Sequence, residues 1–135
     1  MSEPDHNADR NSLPLDLTSI LLVEADPELR SSRRMLLASL EHPVLAVASY
    51  HELSTLPADS NCCLVAIDLC PYEHEARKIA TYVRRTWPTA KILLFGEPSP
   101  RFDDWLYDDS VRACWSPLSA VRSARILIEA NIRLR

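Results

Sequence analysis

Short apolar runs alternate along this chain with longer segments that have a helical pattern. The runs contain four or more apolar residues with few charges, which is typical of strands buried on both faces of a sheet. They predict five strands, at 19–23, 44–48, 63–69, 91–95 and 111–115.

Proline marks the edges of most of the segments between these strands, as expected at helix ends. Asp26 before Pro27 is a predicted N-cap, since its carboxylate can accept from free backbone N–H groups. The predicted helices cover 27–42, 50–56, 76–87, 101–109 and 118–134. In the last helix, Val121, Ala124, Ile128 and Ile132 recur on one face and are predicted to face the core.

This alternation predicts an α/β fold with a parallel sheet covered on both faces by helices. Because crossover connections are right-handed, the natural arrangement is a flavodoxin-like, doubly wound, five-stranded sheet in the order 2-1-3-4-5. Residues 18–135 form the predicted domain. Residues 1–17 are polar, contain two prolines and show no periodicity, so we expect a flexible tail.

Composition removes several function classes. The only glycine in 135 residues is Gly96, which excludes a glycine-rich phosphate loop. A net charge of -4 argues against nucleic-acid binding, and the basic group Arg30, Arg33 and Arg34 is interpreted as a solvent-exposed helix face. No apolar run is long enough to span a membrane, and the first residues are polar and acidic. We therefore expect a cytoplasmic protein with no membrane contact.

Acidic residues follow the first and third strands. In doubly wound sheets, ligands bind beyond the carboxyl ends of the strands, where the strand order reverses. The predicted order places Glu24, Ala25 and Asp26 beside Asp68 at that point.

Four motifs in this order resemble response-regulator receiver domains. ILLVEADPELR resembles the family's first strand and helix start, ILLVDDDPxLR, and CLVAIDLCP resembles its third-strand motif, DLVLLDLxMP. YVRRTWPTAKILLF resembles the third helix and fourth strand, and WSP stands where the family has valine-lysine-proline. The resemblance covers about residues 19–132 and implies a phosphate-accepting module of a two-component system or phosphorelay.

Asp68 matches the family's phospho-acceptor, which attacks a phosphohistidine with the help of magnesium. Glu24 matches the first of two family acids, and Asp26 lies next to the second. That second position, the direct magnesium ligand, is Ala25, whose methyl group cannot coordinate a cation. Glu24 and Asp68 are left as the metal-binding carboxylates, and we expect no bound cofactor.

Three further family positions depart from the pattern. Gly96 replaces the Ser/Thr hydroxyl, Ser116 replaces the lysine, and Ala113 replaces the switch aromatic. Loss of a magnesium carboxylate and of the lysine would each cost on the order of several kcal/mol of charge stabilisation. The resemblance therefore implies a degenerate receiver, or pseudo-receiver, with slow or no phosphorylation at Asp68.

The first function hypothesis is accordingly a binding module, not an enzyme, that contacts a histidine kinase or another signalling protein. Homodimerisation through the same face is a second form of this hypothesis. Aromatic and apolar residues suit such a partner face. The predicted face consists of Trp105, Tyr107, Trp115, Leu118 and Leu127.

Two alternatives remain. In the first, the chain is a functional phosphate-accepting response regulator of a histidine kinase, with Glu24 and Asp26 recruiting magnesium to Asp68. In the second, it is an unrelated small enzyme on the flavodoxin-like fold, although Leu69, Cys70 and Pro71 after Asp68 do not match dehalogenase-type phosphatases.

Overall fold

A five-stranded parallel sheet forms the centre of the molecule in a computed structural model that describes residues 15–69, 72–112 and 117–133. The strands lie in the order β2-β1-β3-β4-β5, which confirms the predicted doubly wound topology. Their bounds are β1 Ile20–Val23, β2 Val44–Val47, β3 Leu64–Asp68, β4 Lys91–Phe95 and β5 Asp109–Val111.

Helices connect consecutive strands. The α-helices are α1 Pro27–Ala38, α2 Tyr50–Ser54, α3 Glu73–Thr86 and α4 Pro117–Arg133. A single 3-10 turn, Asp104–Leu106, stands between β4 and β5. Among the described residues, no helix has the length and apolar character needed to cross a membrane.

Each face of the sheet has its own core, because alternate residues of a strand point to opposite faces. On one face, Leu21, Val65 and Ile92 pack with residues of α2 and α3, including Leu53 and Ile79. On the other face, residues of β1, β3 and β4 pack with α1 and α4. The three central strands β1, β3 and β4 are therefore buried on both sides, which explains their unbroken apolar runs.

Leu15 extends the first of these cores. It is buried, and its carbonyl accepts a hydrogen bond from the backbone N–H of Asn61 at 2.9 Å. The predicted tail over 1–17 included this residue, which instead packs on the domain. Residues 1–14 lie outside the described part of the chain.

The segment predicted as a helix over 101–109 forms only the 3-10 turn. Arg84 of α3 holds it, donating from Nε to the Trp105 carbonyl at 2.9 Å and from Nη2 to Asp108 at 3.1 Å. Asp108 also accepts a hydrogen bond from the backbone N–H of Ile92 at 2.8 Å. These contacts bring the following backbone onto β4, so β5 begins at Asp109, before the predicted 111–115.

The buried face of α4 differs from the predicted stripe. Ala124 and Ile128 are buried as expected, but Val121 is only partly buried and Ile132 is 53% exposed. Leu127, predicted for an exposed partner face, is 9% exposed and belongs to the core. The helix is rotated toward Leu127 because Asn131 anchors it to the sheet.

Asn131 is 2% exposed, and its Nδ2 donates to the carbonyls of Thr89 and, at 3.3 Å, Cys63. We expect Asn131→Ala to lower the free energy of unfolding by about 1–3 kcal/mol, since it removes two hydrogen bonds of a buried side chain. Urea unfolding measures this loss. Arg125→Ala, an exposed change on the same helix, is the control and should change it by less than about 0.5 kcal/mol.

Candidate functional site

The carboxyl ends of β1 and β3 bring two carboxylates together. β1 and β3 are paired with Val23 opposite Ile67, so Glu24 and Asp68 leave the sheet side by side. Glu24 is 2% exposed as a residue, and the side chain of Asp68 is 7% exposed. The two carboxyl groups are close enough that Asp68 favours the protonated form of Glu24 and raises its pKa. Two buried acids in contact need a proton or a cation between them, because like charges repel strongly away from water.

Arg33 of α1 supplies that cation. Its Nη1 forms an ion pair with Oε1 of Glu24 and lies 3.1 Å from Oδ2 of Asp68. The guanidinium also lies over the ring of Phe95, 4.5 Å from its centroid. Its side chain is only 13% exposed. The prediction that Arg33 belongs to a solvent-exposed helix face is therefore wrong.

The geometry of α1 explains how Arg33 reaches the acids. Arg33 precedes the buried Leu37 by four residues, so both lie on the helix face that packs on the sheet. Arg30 lies one turn earlier and donates from Nη1 to the backbone carbonyl of Glu24 at 3.0 Å. Arg34 is exposed, since one residue turns a helix by about 100°. This spacing was the signal in the sequence that could have identified Arg33.

Asp26 has a different role from the neighbouring acids. Its Oδ1 accepts hydrogen bonds from the backbone N–H groups of Glu28 at 2.9 Å and Leu29 at 3.1 Å. It is thus the N-cap of α1, as the sequence predicts. Its own backbone N–H donates to Oε2 of Glu24 at 3.1 Å, which orients that side chain.

The residues present do not fit a bound magnesium ion. Ala25 lines a cleft of about 210 Å³ that also borders Asp68, and its side chain offers no oxygen ligand. The carboxylate of Asp26 faces the helix, and Arg33 occupies the side where Glu24 and Asp68 meet. Among the described residues, no group of three or more acidic, histidine or cysteine side chains is arranged to hold a metal.

Gly96 follows β4 and has φ of +125°, in the region that favours glycine. Its N–H donates to the carbonyl of Val111 at 2.7 Å, which joins this turn to β5. A Cβ at this position would lie 3.2 Å from the side chain of Leu69. The backbone here thus excludes a serine or threonine hydroxyl without rearrangement.

The remaining predicted site residues are divided between the surface and undescribed segments. Trp105 is 58% and Leu118 is 74% exposed, whereas Tyr107 is half-buried and its ring meets that of Phe102 at 5.7 Å. Ala113, Trp115 and Ser116 lie outside the described residues.

Several solved structures with a similar architecture are receiver domains. A CheY-like response regulator receiver domain protein from Methanospirillum hungatei superposes with a TM-score of 0.78 at 16% identity, over 89% of this chain and all of that one. The receiver domain of an HD domain-containing protein from Pseudomonas fluorescens has a TM-score of 0.75 at 14% identity, covering 87% and 99% of the two chains.

A third similar structure is that of a response regulator with a bound ligand. The response regulator TrrA from Thermotoga maritima, in complex with magnesium and beryllium fluoride, has a TM-score of 0.70 at 20% identity, covering 82% of this chain and 99% of its own. No family model and no curated protein sequence matches this chain. The fold is therefore that of the receiver domains of two-component signalling.

Burial of Glu24 raises its pKa from the ordinary 4.5 to about 7. The contact of its protonated carboxyl, as donor, with Asp68 also raises the pKa, whereas the backbone N–H of Asp26 and the charge of Arg33 lower it. The folded protein thus keeps a proton that the unfolded chain releases above pH 4.5. We expect the free energy of unfolding to fall as the pH rises from about 4.5 to about 7.

Urea unfolding across this range measures the fall, and Glu24→Gln, which cannot titrate, should reduce it. Glu28→Gln, at an exposed position in the first turn of α1, is the control and should leave the slope unchanged. An equal slope in the wild type and Glu24→Gln would contradict the assignment of this proton to the Glu24–Asp68 pair.

Removing Arg33 should leave the two acids without a cation. We expect Arg33→Met to lower the free energy of unfolding at pH 8 by about 3 kcal/mol, the usual cost of breaking a buried pair from one side. Because a methionine side chain can still pack on Phe95, the fall in the free energy of unfolding comes mainly from the lost positive charge. The loss should shrink at pH 5, where a carboxyl can hold a proton, and Arg34→Met should show neither effect.

Proposed function

We propose that this protein is an atypical receiver-like signalling module that acts by protein–protein contact, with weak or no phosphorylation at Asp68. The observation that carries the proposal is the position of Arg33, which binds Glu24 and Asp68 where a phosphate-accepting site would need free carboxylate oxygens. The receiver fold supports the signalling role, and a histidine kinase or another signalling protein is the proposed partner.

Arg33 opposes phosphoryl transfer through the acceptor itself. A carboxylate attacks phosphorus with an oxygen lone pair, and an oxygen held by a guanidinium is a weaker nucleophile. Arg33 is also covered by Phe95 and is 13% exposed, so leaving the pocket would break a cation–π contact and uncover both acids. Reaction at Asp68 would first require this movement.

The positions that would relay a phosphoryl group also support this reading. Gly96 has no hydroxyl, and its backbone conformation opposes a replacement that has one. Without such a hydroxyl, position 96 has no side chain that could form a hydrogen bond with a phosphoryl group on Asp68. The proposed module would therefore keep one conformation at this site whatever the state of its partner kinase.

Trp105 provides a surface for partner contact. Its indole is 58% exposed, although large aromatic side chains are usually buried, and exposed tryptophans are favoured anchors at interfaces. The three hydrogen bonds of Arg84 to Trp105, Ala90 and Asp108 fix the loop that carries it. A fixed loop loses little entropy on binding, which suits it to recognition.

The alternative function is a competent phosphate-accepting response regulator. Its support is the pairing of Asp68 with a second acid, Glu24, at the strand ends, in the fold of a protein that binds magnesium and beryllium fluoride. In this alternative, Arg33 would have to swing out and the cation would have to be bound without an acid at position 25.

Incubation with acetyl phosphate and magnesium, followed by intact-mass measurement, separates the two functions. We expect no gain of a phosphate in the wild type under conditions that phosphorylate a competent receiver domain run in parallel. Arg33→Met should remain unmodified or gain only a small fraction, because Ala25 and Gly96 are unchanged. A clear gain in the wild type that is absent from Asp68→Asn would establish the alternative.

A further inference from the structure

The outward face of α4 carries large apolar side chains that the domain leaves in solvent. Leu118 is 74%, Ile126 58% and Ile132 53% exposed, on the side opposite the buried Ala124 and Leu127. Apolar residues repeated along one exposed helix face are typical of an interaction surface.

Two opposite charges lie between these apolar residues. Arg122 and Glu129 are both exposed, and neither forms an ion pair with any described residue. They are two helical turns apart, about 10 Å along the axis, which is too far for them to bind each other on one helix.

We propose that this face binds a second copy of the chain, with the two α4 helices antiparallel. Consider a twofold axis that relates the two copies and crosses α4 at the level between Arg125 and Ile126. This level is equally far along the helix from residues 122 and 129. The axis therefore places Arg122 of each copy opposite Glu129 of the other and forms two equivalent ion pairs. A parallel arrangement in register would instead bring like charges together.

The same axis pairs the apolar residues. Ile126 lies next to the axis and meets its own copy. Leu118 of the second copy comes to the end of α4 that carries Ile132. A groove of about 180 Å³ lies at that end, between the chain after α1 and α4, and is large enough for a leucine side chain. Its lining consists of Leu40, His42, Arg125, Ile128, Glu129 and Ile132.

One residue limits the affinity. Arg125 also lies beside the axis, so two copies of its charge approach each other. The interface is a single helix about 25 Å long, which places the dimer among weak and transient complexes. The inference goes beyond the proposed function and does not depend on the state of Asp68.

Sedimentation equilibrium of the full chain, from about 10 μM to about 1 mM at low salt, tests the dimer. We expect Arg122→Glu and Glu129→Arg each to raise the dissociation constant about tenfold or more, since each replaces two attractions by two repulsions. The double variant should return to within about threefold of the wild type, because the pairs are restored with reversed sign.

Two further variants complete the test. Arg125→Leu should tighten the dimer by removing repulsion at the axis, and Arg34→Glu, an equal charge change at an exposed position of α1, should not alter it. Wild-type protein that stays monomeric up to about 1 mM would overturn the inference. The inference would also be overturned if the single variants had the dissociation constant of the wild type, or if the double variant bound no more tightly than the single variants.

Discussion

The contact of Arg33 with Glu24 and Asp68 is the interaction on which the rest of this site depends. Parallel pairing of β1 and β3 brings the two acids together where both are nearly buried. Ionised carboxylates cannot share such a place unless a proton, a metal or a cationic side chain balances their charge. Here Arg33 balances one charge, and the raised pKa of Glu24 lets a proton balance the other up to about pH 7.

The fold and the side chains around Asp68 therefore have to be considered separately. The sheet order is that of the solved receiver domains that superpose over most of the chain. The side chains around Asp68 either contact one another or lack polar atoms. Arg33 neutralises the acids, Ala25 contributes only a methyl group, and Gly96 has a backbone that disfavours side chains.

Much of the fold was predictable because its central strands β1, β3 and β4 are buried on both faces and so appear as unbroken apolar runs. The bounds of β4 were predicted to the residue. Prediction failed where tertiary contacts override local pattern. Arg84 and Asp108 hold the segment 101–109 in a short turn and start β5 early. Asn131 is polar, so its burial against the sheet and the resulting rotation of α4 were not apparent from apolar spacing.

The sequence by itself determined which residues stand at the strand ends, because strand order and the positions of Glu24 and Asp68 follow from the pattern. It also determined that Ala25 supplies no ligand. Only the tertiary structure decided what balances the two acids, since Arg30, Arg33 and Arg34 are chemically alike. Their difference is angular: the packing of Leu37 on the sheet turns Arg33 inward over Phe95 and leaves Arg34 in water.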